Sequence, residues 1–158
     1  MKLEESLKSK KFIVTSEIQP PIGTGIQDLV RNIDKIRGRI DALTVPELKI
    51  EGLVTDTMGT CRALKDQKFD PILQTTCREK TRIDIQDHLI KASEAGIENI
   101  LAFTEDYRIT GDSLQEIMFF HVDSGKLFSV MESLWEGHDI SGKELPSKSR
   151  FCVGSGID

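Results

Sequence analysis

The feature that most constrains this chain is an alternation. Short β-branched runs recur along it, and between them lie segments whose apolar residues fall at helical spacing. "KFIVTSEI" (11–18) predicts a first strand. "GTGIQDLVRNIDKIRGR" (23–39) follows, with Ile26, Leu29, Val30, Ile33 and Ile36 placed to line one face of a helix. "IDALTV" (40–45) predicts a second strand, and "VTDTMGTCRALKDQ" (54–67) a helix that tolerates Gly59. "DPILQTTC" (70–77) gives a third strand, entered through Pro71. "TRIDIQDHLIKASEAG" (81–96) is a third helix closing on Gly96, the residue favoured just past a helix end. "IENILAFT" (97–104), "VDSGKLFSVMESLWEG" (122–137) and "RFCVGSGI" (150–157) supply a fourth strand, a fourth helix and a fifth strand. The segment 106–121 is longer than an ordinary strand-to-helix link, and long loops of this kind are often functional.

Strand–helix repetition calls for right-handed crossovers and a parallel sheet. Two α/β layouts fit, an open doubly wound sheet or a half or partial (β/α)8 TIM barrel. No GxGxxG follows the first strand, and "PPIGTG" lacks the Lys-Ser/Thr of a phosphate loop, so a nucleotide-binding doubly wound fold is the weaker option. At 158 residues the expectation is one domain, 1–158.

Charge and cysteine usage narrow the function classes. Net charge is −5, and the basic pieces "KSKK" and "RGR" are too short for a nucleic-acid track, so they read as solvated surface. No apolar run approaches the ~18 residues a membrane helix needs. "MKLEESLKSKK" lacks the apolar stretch of a signal peptide. Cys61, Cys77 and Cys152 are widely spaced and form no CxxC pair, which points neither to a zinc site nor to a disulfide framework. The expectation is a cytoplasmic protein with no metal, no nucleic-acid partner and no membrane partner.

In either layout ligands sit at the C-terminal ends of parallel strands. There the sequence places Glu17, Thr44, the run Gln74–Thr75–Thr76, the pair Glu105–Asp106, and Gly154–Ser155–Gly156. A carboxylate partly desolvated at such a mouth gains proton affinity and can serve as a general acid. For any one of these residues an ordinary strand-end role is the simpler account, and their convergence carries the functional reading. His88 and His138 have no site partner in the pattern and are expected at the surface, with Arg78 and Arg82 in the loop and first turn after the third strand.

"TSEIQPP", "QTTCREKTRIDIQDHLIKASEAGIENILAFTEDYRITGD", "FHVDSGKL" and "FCVGSGID" together resemble the methylenetetrahydrofolate reductase family. The resemblance spans almost the whole chain and the first half of a typical family member; the block 74–112 is its most specific part. It implies a flavin enzyme on a TIM barrel, in which NAD(P)H reduces FAD and the hydride passes to 5,10-methylenetetrahydrofolate, giving 5-methyltetrahydrofolate. Glu17 matches the family's general acid and Asp106 its acid beside the pterin. Thr44, Gln74, Thr76, Thr104, Glu105, Asp106, His121 and Gly154 fall where the family lines its flavin site. Asp123 matches the acid leading into the fourth helix.

The chain also departs from the pattern. Glu105 stands where the family has a glycine that lets the backbone approach the flavin. "VPELK" replaces the usual Thr-Asp-Asn end of the second strand. A full barrel takes about 250 residues and eight strands, and five strands leave an open edge. Three explanations stay open: an incomplete chain, a split subunit completed by a partner, or a degenerate half-barrel that self-associates. A homo-oligomer or a completing partner subunit is therefore expected. The alternative function is a non-catalytic half-barrel that binds folate or a second subunit; a small doubly wound domain unrelated to folate is the third.

Overall fold

A computed structural model describes residues 2–9, 12–21, 25–50, 53–77, 80–103 and 124–155. Its main sheet has five strands, β1 (Thr15–Glu17), β2 (Ala42–Val45), β5 (Pro71–Thr76), β6 (Asn99–Phe103) and β7 (Cys152–Ser155), in that spatial order. Every neighbouring pair is parallel. A strand order that follows the chain has no reversal point, and this separates a partial barrel from the doubly wound alternative. The fold is α/β, part of a TIM-type barrel.

Helices α2 (Ile26–Asp34), α3 (Thr57–Asp66), α4 (Arg82–Glu94) and α5 (Ser124–Glu136) connect these strands. Leu64, Ile85, Leu89, Leu127, Val130 and Leu134 from the last three are fully buried against Leu43, Val45, Leu73, Ile100 and Ala102 of the sheet. Each such aliphatic side chain contributes about 2 kcal/mol of burial free energy. The strand residues of that cluster alternate along the chain, so they mark one face of the sheet as the helix-covered face.

The opposite face has its own small cluster of Leu3, Ala42 and Ile72, with Ile13 and Leu101 against it. Leu3 belongs to α1 (Leu3–Lys8), a helix absent from the periodicity reading. The Leu3 N–H donates to Asp70 Oδ2 at 2.7 Å, and Lys2 Nζ meets Glu98 Oε1 at 2.7 Å. Asp70 and Glu98 lie at the N-terminal ends of β5 and β6, so α1 forms a floor under the uncovered face. The buried Asn99 side chain completes that floor, donating to Asp70 Oδ1 at 2.8 Å and to the Pro71 carbonyl at 3.1 Å.

Several boundaries differ from expectation for physical reasons. β1 is three residues long because its N-terminal side leaves the sheet: Phe12 is 92% exposed, and the Asp41 carboxylate takes the Val14 N–H at 2.8 Å. The second segment stays helical only to Asp34, and Gly38 turns the chain at φ +78°. Ile36 still packs on the core after the helix ends, which is why the apolar period overran it. Gly59 is more than tolerated: a Cβ there would fall on the carboxylate of Asp56, the N-cap of α3, which accepts the Gly59 N–H at 2.8 Å. A two-stranded antiparallel hairpin, β3 (Lys49–Ile50) and β4 (Leu53–Val54), adds to the β2–α3 link. Gly96 does end the third segment, at φ +71°. Cys61 is fully buried in the helix-covered core, and burial, with Asp56 nearby, pushes its thiol up to about 12.

Candidate functional site

Parallel register aligns the strand-end residues into rungs. Glu17 pairs with Thr44 and Thr44 with Ile72, so Glu17 and Thr44 are adjacent on one side of the sheet. Two residues further up, Gln74 pairs with Leu101 and Leu101 with Gly154. Above them Thr76 pairs with Phe103. Register partners in a parallel sheet point their side chains the same way, and Ile72 and Leu101 fix that direction as the face opposite the helices. Glu17, Thr44, Gln74, Thr76 and Gly154 therefore share the uncovered face, with Ile72 and Leu101 among them.

Their environments are graded. Thr76 is 3% exposed and Thr44 9%, Gln74 is half-buried, and Glu17 and Gly154 are exposed. A Cβ at position 154 would come within 3.2 Å of Leu101 Cδ1, so glycine there leaves room for the Leu101 side chain. These strand-end residues bring two hydroxyls, one amide, one carboxylate and a glycine to one face of the sheet, a set that can donate and accept hydrogen bonds there.

Thr75 and Ser155 occupy the alternate positions and belong to the helix side of the sheet, so they leave the candidate set. Thr75 is fully buried, and its Oγ1 has no hydrogen-bond partner. Thr104, Glu105, Asp106, His121, Asp123 and Gly156 lie outside the described residues. Among the described residues no cluster of three or more His, Cys, Asp and Glu could hold a metal ion. None of the described helices is long and apolar enough to cross a membrane.

The family model for methylenetetrahydrofolate reductase matches residues 2–124. The chain belongs to the methylenetetrahydrofolate reductase family. Membership supports a methylenetetrahydrofolate reductase-like oxidoreductase function directed at a folate, in a family whose proteins generally bind FAD. No individually curated protein matches the chain.

In this methylenetetrahydrofolate reductase-family chain, the segment "VPELK" is more than a departure from pattern. Glu47, two residues past β2, forms an ion pair with Lys80, four residues past the end of β5, at 2.5 Å. The side chains are 20% and 19% exposed. Glu47 Oε2 also accepts the Thr76 N–H at 3.4 Å, and Lys80 Nζ donates to the Thr76 carbonyl at 3.2 Å. The signal available in the sequence was opposite charges just beyond the ends of two strands that turn out to be neighbours; without the strand order it could not be used.

His88 corrects the expectation of a surface histidine. It is half-buried on α4, and its Nε2 is buried without a hydrogen-bond partner. Burial, and then the Lys80 charge, hold its pKa below the usual histidine value. His138 is exposed as expected.

Proposed function

We propose that this chain carries the FAD- and folate-facing strands of a methylenetetrahydrofolate reductase-type barrel, with residues 1–158 acting as one unit. The observation that carries the reading is the shared face: Glu17, Thr44, Gln74, Thr76 and Gly154 come from four different strands and lie on the same side of the sheet. The donor set fits a flavin. Gln74 can both donate and accept at the ring edge, and the hydroxyls of Thr44 and Thr76 can do either.

When bound, FAD supplies the hydride carrier between NAD(P)H and 5,10-methylenetetrahydrofolate. The chain's own residues handle the proton and the charge. Opening the five-membered folate ring requires a proton on the departing nitrogen, and Glu17, exposed at the rim, is the donor. The ring-opened iminium is cationic, and the Asp106 carboxylate stabilises it and accepts from the pterin. Thr104, Glu105 and His121 complete the cofactor-facing set in this reading. In this reading the remaining barrel strands and contacts come from further chain, a second copy or a partner subunit.

The test is the visible spectrum of the purified chain before and after incubation with FAD. A bound flavin with its near-450 nm band supports the reading. A colourless protein that takes up no added FAD overturns it and favours the non-catalytic folate-binding or interaction subunit.

A further inference from the structure

β2 and β5 stop pairing before β5 stops. Their last partners are Val45 and Leu73, whereas β5 continues to Thr76, three residues on. The cause is local. Pro46 follows Val45 directly, has no N–H to offer the ladder, and turns the chain away toward the β3–β4 hairpin. That end of β5, paired with β6 on its other side, presents Gln74 and Thr76 to the uncovered face.

The Glu47–Lys80 pair occupies the place of the missing backbone. Glu47 Oε2 accepts the Thr76 N–H, Lys80 Nζ donates to the Thr76 carbonyl, and the two charges meet each other at 2.5 Å. One side chain from the β2 loop and one from the β5 loop thus satisfy both main-chain groups of Thr76. The pair is four-fifths buried, where charge-assisted hydrogen bonds are stronger and their geometry better held than in water.

We infer that Glu47 and Lys80 are positioning residues: they hold the end of β5 at the height and twist at which Gln74 and Thr76 meet the flavin. This rests on the reading of the site as a flavin site. They act through the Thr76 backbone, which both contact.

The experiment compares FAD affinity and the bound-flavin spectrum of the unaltered chain with Glu47→Gln, Lys80→Met and Lys80→Arg, alongside far-ultraviolet circular dichroism at the assay temperature. Glu47→Gln and Lys80→Met should each weaken FAD binding about tenfold and shift the flavin band, with helical signal unchanged. Lys80→Arg, which keeps the charge and the donors, should restore most of the affinity. Unaltered affinity and spectrum in both neutralised variants would overturn the inference, and so would a loss of binding that tracks loss of helical signal. If the unaltered chain binds no flavin, the functional reading itself fails and takes this inference with it.

Discussion

Glu17 and Thr44 are register partners across the β1–β2 ladder, which sets an exposed carboxylate beside a nearly buried hydroxyl on the uncovered face of the sheet. In the proposed site the hydroxyl serves the cofactor and the acid serves the folate. That division predicts separable effects. Glu17→Gln should lower folate reduction by about 10²- to 10³-fold, the scale of a lost general acid. Reduction of the bound flavin by NAD(P)H, followed as bleaching of its visible band, should continue at the unaltered rate. Equal losses in both half-reactions would remove Glu17 from the proton-donor role.

Glu105 offers a gain-of-function test. In the proposed reading Glu105 replaces a glycine of the family pattern and adds bulk and a negative charge next to Asp106 in sequence. Glu105→Gly should tighten FAD binding, by about tenfold if one like-charge contact is relieved. Fluorescence titration of the flavin reads the change. An unchanged dissociation constant would show that Glu105 does not obstruct the cofactor.

The start of α4 carries a local stability prediction. Thr81 caps the helix, and its Oγ1 accepts the Asp84 N–H at 3.2 Å. The Asp84 carboxylate in return accepts from the Thr81 hydroxyl at 2.6 Å and from its N–H at 2.8 Å. Those bonds hold the Asp84 carboxyl below its ordinary 3.8. A carboxyl with a depressed folded-state pKa stabilises the fold above its unfolded value and loses that contribution as pH falls through the folded one. Thr81→Ala should cost about 1 kcal/mol at neutral pH. The difference from the unaltered chain should shrink once pH drops below 3.8, in thermal melts across the acid range.

His88 predicts an acid sensitivity of opposite origin. Its folded-state pKa lies below the ordinary 6.5 because burial disfavours the cation, and the Lys80 charge adds to this while Glu47 opposes it; Lys91 adds a smaller push downward. The unfolded chain therefore takes up a proton first. Stability should decline as pH falls below 6.5 and level off once the folded-state pKa is passed. His88→Leu removes both the proton uptake and the unpartnered buried Nε2, so its melting temperature should vary less with pH in that window. A His88→Leu chain with the unaltered slope would assign the acid sensitivity to other groups.

Much of this protein is written locally. Apolar spacing and β-branched runs mark which segments become the five main-sheet strands and the four helices that connect them, because each pattern reflects one element's own geometry. The family membership is also a property of the sequence, which matches over residues 2–124. What the sequence left open depends on contacts between distant segments. The sequential strand order excluded the doubly wound layout. The inter-strand register sorted Gln74 and Thr76 onto one face and Thr75 onto the other. Helix α1, with only six residues, is held by Asp70 and Glu98 far along the chain rather than by its own turns. Burial of His88, and the closing of Glu47 on Lys80 over Thr76, likewise arise only when β2 and β5 lie side by side. Periodicity reports which way a side chain points from its own element; which neighbour it then meets is decided by packing.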